Sequence, residues 1–443
     1  AMREVNLTQG PILSRLVRFS LPMIAGNMLQ QVYNLVDTLV VGRGIGANAL
    51  AAVGSAYTLM TFLTSILIGL CMGSGAFFSE DYGAGDTAQL RQDVLLSFWF
   101  IFGVSLLIYG VIYPGMNPIL RLLQTPEELM ALMQEYVRAV FAGIFFVFLY
   151  NFFAYLLRSM GNSVVPLVFL AVSAVLNIVL DIWFVMGLSL GVAGAAWATV
   201  ISQAVSGLGI AAYSFRRLPW LCRGRGGWDW GRFAHIVKND VATGIQQSVM
   251  NFGILMIQGL VNSFGTVIMA AFAAAVKIDT LAYMPAQEFG NAYSLFVSQN
   301  FGAGERERIR KGTKMSFALS AAFCALVSCG IFLLAPQLMG CFVDPGEREV
   351  IAQGVRYLHI EGAAYVGIGV LFLWYGYFRG IRRPEISLVL TVISLGTRVV
   401  LAYALAPRTA LGVNAIWLAI PIGWVLADGA GLWFYARRRH KEG

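Results

Sequence analysis

Two carboxylates, an amide and a hydroxyl stand in stretches of the 443-residue chain that are otherwise apolar. Asp37 is flanked by Val36, Leu39, Val40 and Val41. Asn177 and Asp181 are four residues apart, so a helix puts both on one face. Thr199 lies within Trp197-Ala-Thr-Val-Ile201. These are hard oxygen ligands of the kind that suits Na⁺. The two carboxylates could instead share one proton, because adjacent negative charges oppose each other's ionisation. The plainer alternative is that each polar group only hydrogen-bonds a neighbouring helix, as threonine commonly does in membranes. Ionisable groups inside a membrane span are costly, which makes them the first places to look for function.

The elements that must position these groups follow from composition. Hydrophobic residues make up 58% of the chain and charged residues only 12%, against roughly 45–50% and 25% in soluble domains. Disorder, a disulfide scaffold and most soluble enzymes are thereby excluded. The pattern predicts an all-α polytopic membrane protein of twelve helices in two pseudo-symmetric six-helix bundles. The spans are expected near 16–41, 48–78, 93–117, 132–157, 163–186 and 191–214, then 236–263, 268–297, 314–338, 350–378, 384–405 and 412–436. An N-terminal lobe over 1–215 and a C-terminal lobe over 236–443 flank a linker at 216–235. That linker carries Arg216, Arg217, Arg223, Arg225 and Arg232 among Gly224, Gly226 and Gly227, and is expected to be flexible.

Lysine and arginine set the orientation. With both termini cytoplasmic, the inner side holds 23 of the 31 basic residues and the outer side five. The net charge of +8 therefore reflects membrane topology and implies no nucleic-acid partner. No cleavable signal peptide is expected, since the apolar run from Ile12 lacks an A-x-A site. The five cysteines are odd in number and lack metal-site spacing. Together with only three histidines and no HExxH, this leaves no sign of a metal cofactor.

An internal repeat organises the chain. Ser79-Glu-Asp-Tyr-Gly-Ala-Gly-Asp86 closes the second span, and Ser298-Gln-Asn-Phe-Gly-Ala-Gly-Glu305 closes the eighth, 219 residues on. At that offset Gly46 falls on Gly265, and Ala51-Ala52 on Ala270-Ala271. Arg158 and Arg379 precede spans five and eleven at an offset of 221. Two parallel halves of six helices explain this register, and such halves place a site near the midplane. Gly83, Gly85, Gly302 and Gly304 follow no strand and precede no Lys-Ser/Thr, so they are helix-end turns needing positive φ and not a phosphate loop.

With these motifs the chain resembles the MATE (multidrug and toxic compound extrusion) transporters along nearly its whole length. The resemblance also rests on Asp37-Thr-Leu-Val-Val-Gly42, Leu157-Arg158 with Gly161, and Asn177-Ile-Val-Leu-Asp181. It looks closer to the DinF-type and MepA-like bacterial branch than to the NorM branch, since Met250 stands near where NorM-type members carry an acidic residue. The resemblance implies a monomeric exporter in the bacterial inner membrane, surrounded by lipid. It would move amphipathic organic cations by alternating access, coupled to H⁺ or Na⁺ and without a cofactor. It places the coupling ion at Asp37, Asn177, Asp181 and Thr199, and makes Pro22 a bending point of helix one. A proline at a helix start is the plainer account of Pro22.

The second half departs from the first. Asn177 falls on Arg398 and Asp181 on Ala402, so the second lobe cannot copy the first site. Its own polar set is Lys277, Asp279 and Glu288 in span eight, His359 and Glu361 in span ten, and Arg398 in span eleven. Asp279, Glu288 and Arg398 are candidate substrate contacts, with Gln246 and Asn251 on the polar face that Gln247 shares in span seven. Asn239-Asp240-Val-Ala242 replaces the Gly-x-Pro usual in the family, and Arg382 stands where the first half has Gly161. A flippase for a lipid-linked precursor is the alternative function, but it should show a cationic cavity. An Mg²⁺-dependent membrane enzyme is disfavoured, because Asn177 and Asp181 lie mid-span.

Overall fold

The computed structural model describes residues 5–122, 125–224 and 227–442. Arg225 and Gly226 of the expected linker lie outside the described residues. The order is α1 (Ile12–Gly44), α2 (Ala47–Gly83), α3 (Thr87–Ile112), α4 (Met116–Leu122), α5 (Glu127–Phe141), α6 (Ile144–Ser159), α7 (Val164–Asp181) and α8 (Val192–Arg217). It continues with α9 (Trp230–Asn262), α10 (Thr266–Gly302), α11 (Arg306–Phe342), α12 (Arg348–Gly362), α13 (Tyr365–Gly380), α14 (Pro384–Leu405) and α15 (Val413–Glu442). No strand occurs among the described residues.

Eight of these helices are long and apolar enough to cross a membrane alone, and the bent pairs α5–α6 and α12–α13 can each make one more span. The remaining two of the expected twelve are α1 and α9, each 33 residues long. At ~1.5 Å per residue they are long enough to span, but polar residues recur along them: Asn27, Gln30, Asn34 and Asp37 on α1, Asp240, Gln246, Gln247 and Asn251 on α9. These are the first helices of the two halves. Polar groups within a span face a bundle interior or a water-filled cavity, because lipid cannot satisfy them.

Three local features depart from the predicted spans. The fourth span breaks at Ala142–Gly143 with a 44° bend, and the tenth at Ala363–Ala364 with a 53° bend. The third span starts at Thr87, not near 93. Asp86 caps it by accepting from the Gln89 backbone N–H at 3.1 Å, and this cap draws Asp93 into the helix, where it is fully buried.

The chain forms two compact units, Ala1–Leu7 with Leu21–Gly244, and Thr8–Ser20 with Ile245–Gly443. In the first, rings on α3 and α6 pack together; Phe98 lies 5.3 Å from Phe148 and 5.4 Å from Phe152 between centroids. In the second, α10 and α13 cross through glycines. A Cβ on Gly376 would come within 2.5 Å of the Gly290 carbonyl oxygen, and one on Gly380 within 2.7 Å of that of Ser294. Small residues let membrane helices approach this closely. The segment before α9 is tied to α3. Gln92 donates to the Gly227 carbonyl at 3.1 Å, Arg91 donates to the Arg223 carbonyl, and in the first turn of α9 Phe233 packs edge-on to Phe100.

The repeat extends to backbone geometry. Gly46 and Gly265 have φ of 126° and 100°, and Gly85 and Gly304 have 72° and 74°. Gly83 and Gly302, also expected at positive φ, are instead the last helical residues. Gly161 has φ 88°, and a Cβ there would clash with the Val5 carbonyl oxygen. Its counterpart Arg382 adopts φ 59° despite its side chain. Left-handed geometry costs a non-glycine residue roughly 1 kcal/mol. Arg382→Gly should therefore raise the midpoint of thermal unfolding in detergent by about 1 kcal/mol's worth. A lowered midpoint would show that the Arg382 side chain stabilises the turn more than its backbone strains it.

Candidate cation site

Asp37 and Asp181 face each other inside the first unit, close enough to share a hydrogen bond once one of them carries a proton. The helices explain the meeting. α1 brings Asp37 on the face that also carries Tyr33, one turn earlier. α7 ends at Asp181, and a π-helical turn over Ile182–Gly187 follows at once. Such turns widen the helix locally and recur at functional sites.

Four oxygens here lack a donor among the described residues. Asp37 Oδ1, both oxygens of Asp181 and Asn177 Oδ1 are buried without a hydrogen-bond partner. Asp181 is 1% exposed and Asn177 4%. Buried polar atoms are almost always satisfied, so this group of acceptors calls for a proton, a cation or water. A carboxylate pair with an amide oxygen fits a hard monovalent cation as well as a shared proton. The Thr199 hydroxyl donates to the Ala195 carbonyl on its own helix at 3.1 Å and keeps its lone pairs free to accept.

Tyrosines complete the surroundings, and the sequence pattern did not single them out. Tyr136 of α5 is 3% exposed and lies near Asp37 and Asp181. Tyr33 also lies within reach of Asp37. Asn34 donates to the Tyr57 hydroxyl at 3.1 Å. A tyrosine four residues before an acidic residue on a membrane helix is the only hint that the chain gives.

Pro22 lies inside α1, ten residues past its start at Ile12. It is therefore not a helix-start proline. An interior proline removes one backbone hydrogen bond and permits a bend. The division of α1 between the two compact units falls between Ser20 and Leu21, beside it.

The second-half candidates separate. Asp279 and Arg398 come together with Glu361, which is fully buried and whose oxygens have no hydrogen-bond partner among the described residues. Tyr357 donates to Asp279 Oδ2 at 3.3 Å. Gly253 makes room for Arg398: a Cβ there would lie 2.8 Å from Nη1. His359 stacks on Phe332 at 4.2 Å instead of joining the acids. Gln246 is buried and donates to Thr391 at 3.1 Å, which ties α9 to α14. Asn251 is exposed, and Glu288 is half-buried deeper in α10.

A second charged cluster gathers at the start of α9 within the first unit. Arg232 clasps Asp93 through Nε at 2.8 Å and Nη2 at 2.7 Å, with Asp81 3.7 Å away. This bidentate bond holds the guanidinium still further above its usual range. Ser74 donates to Asp240, and Asn239 donates to the Gly73 carbonyl at 3.1 Å. A Cβ on Gly73 would fall 2.9 Å from the Asp240 Cα. The Asn239-Asp240 pair, odd as a sequence departure, is thus a contact of α9 with α2.

Comparison with known proteins places this geometry. The MatE family model matches twice, over residues 22–183 and 242–404, once per half. A probable multidrug resistance protein of Bacillus subtilis, YpnP, is 30% identical, covering 99% of this chain and 98% of its own. A probable multidrug resistance protein of Thermotoga maritima, NorM, is 26% identical over 92% of this chain and 89% of its own. A solved structure described as the outward-facing conformation of a multidrug resistance MATE family transporter of the MOP superfamily superposes with a TM-score of 0.90. It shares 25% identity and covers 98% of both chains.

The buried clasp generates a stability prediction. Arg232→Ala strands Asp93 without its counter-ion, and because Arg232 keeps some solvent contact the loss should be near the low end, about 3 kcal/mol. Thermal unfolding in detergent measures it. The Asp93→Asn, Arg232→Gln double variant should recover part of the loss; a double variant as unstable as the single would mean the stranded charge is not the cause.

Proposed function

The chain belongs to the MatE family of multi-pass membrane transporters, and from that premise we propose that it is a secondary active antiporter that exports amphipathic organic cations in exchange for H⁺ or Na⁺. The observation that carries this is the pair Asp37 and Asp181, facing each other and holding, with Asn177, four buried oxygens that no donor among the described residues reaches. An exporter driven by a cation gradient needs a group that holds the cation in one state and releases it in the other. A carboxylate pair does this, because its two protonation or ligation states differ by a full charge in a medium that solvates charge poorly. The protein works as a monomer in the bacterial inner membrane, with both termini in the cytoplasm, as the excess of basic residues on that side supports.

Asn177 supplies an uncharged oxygen beside the carboxylates, and Thr199 a further acceptor. Pro22 is the bending point of α1 between its start and Asp37, so a change at the carboxylates reaches the start of the chain through one helix. Asp279, Glu361 and Arg398 form the polar part of the second half, where Asp279 and Arg398 contact the substrate. A flippase for a pyrophosphate-linked lipid would call for a cationic cavity, and the facing carboxylates favour a cation instead.

Dye efflux from proteoliposomes, with a Na⁺ gradient and a pH gradient imposed separately, tests this. One of the two should drive export in the native protein. Asp37→Asn should abolish driven export at unchanged insertion, and Asp181→Asn should cut it at least tenfold while Ala402→Ser, at the matching second-half position, leaves it within about twofold. Near-normal efflux by a well-inserted Asp37→Asn protein would overturn the proposal.

A further inference from the structure

A crevice of about 490 Å³ opens at the end of the first unit where α3 stops and α8 begins. One wall is the face of α5 that carries Gln134, Glu135 and Arg138, with Ala131, Ala139 and Ala142 leaving the space empty. The other wall is Tyr113, just past the end of α3, and Trp197 in the first turns of α8. Each of these neighbouring spans ends at this level, at Ile112 and at Val192. Tyrosine and tryptophan at span ends mark the headgroup layer of a bilayer.

The rim is fixed and the charges are not consumed. Tyr113 donates to the Arg138 carbonyl, and Gln134 donates to Asn117. Glu135 and Arg138 are three residues apart on one helix and both exposed, yet among the described residues neither forms an ion pair. The crevice thus offers one guanidinium, one carboxylate and two aromatic faces to the same small volume. Below it, Trp197, Ile201, Val205 and Leu208 form an exposed stripe down α8 at helical spacing, between 38% and 54% exposed. A soluble zwitterion has no use for that stripe, but acyl chains do.

We propose that this crevice binds the headgroup of an aminophospholipid, with Arg138 on the phosphodiester, Glu135 on the primary ammonium and the acyl chains laid along the α8 stripe. Guanidinium and phosphate pair bidentately, and an ammonium is further held over the faces of Tyr113 and Trp197. The lipid sits in the leaflet opposite the termini, on the topology proposed above, but the binding chemistry does not depend on transport.

Native mass spectrometry of the full-length protein in detergent tests this, titrated with phosphatidylethanolamine, phosphatidylglycerol and soluble phosphoethanolamine. The native protein should bind a first phosphatidylethanolamine about tenfold more tightly than phosphatidylglycerol. Arg138→Gln should weaken both lipids by roughly tenfold, and Glu135→Gln only phosphatidylethanolamine. Ala193→Leu, which fills the crevice without touching a charge, should weaken both. Arg408→Gln, an exposed arginine of the second unit, should change nothing. Phosphoethanolamine should not displace the lipid. Unchanged lipid binding in Arg138→Gln and Ala193→Leu, no preference between the two lipids, or displacement by phosphoethanolamine would each overturn the proposal.

Discussion

Two carboxylates that face each other where water is scarce cannot both stay charged without a cation between them. That constraint at Asp37 and Asp181 organises the rest of the first unit. It makes the acceptor oxygen of Asn177 useful, explains why tyrosines and not arginines gather there, and gives meaning to the π-helical turn directly after Asp181. It also accounts for the polarity of α1, a helix too rich in amides and charges to face lipid along its length. A span built this way is stable only when a bundle interior receives it.

The duplication supplies one skeleton twice and then lets the chemistry diverge. Glycines at 46 and 265, and at 85 and 304, keep the same left-handed turns in both halves, and the family model matches each half separately. The polar groups do not follow. Where the first unit sets two acids against each other, the second sets Asp279 and Glu361 near a cation, Arg398. On the proposed reading, one half offers a place for a mobile positive charge, and the other already contains a fixed one, Arg398. Arg382 carries the same lesson at the level of backbone, holding a glycine's conformation without being glycine.

Much of this was legible in the chain. The twelve spans, the repeat and the pairing of Asn177 with Asp181 follow from hydropathy and from helical spacing, which are local properties. The bends at Ala142–Gly143 and Ala363–Ala364 were not legible, because neither contains the proline that usually marks a kink. Asp93 stands at the expected start of the third span, yet its helix starts six residues earlier, and only the cap by Asp86 could have signalled that. The Arg232–Asp93 clasp and the tyrosines around Asp37 join residues far apart in sequence, and no spacing rule reaches them. The bond from Gln246, a candidate substrate contact, to Thr391 was not legible either, because it depends on which face of α9 is buried.

The most direct test of the account looks at the carboxylates themselves. Infrared difference spectroscopy on the purified protein follows the carbonyl band of a protonated carboxylic acid as pH is raised or Na⁺ is added. The account predicts that one such band is lost in the native protein, that it is absent from the difference spectra of both Asp37→Asn and Asp181→Asn, and that Glu361→Gln leaves this component in place. A band that persists unchanged in both aspartate variants would contradict a cation shared between Asp37 and Asp181.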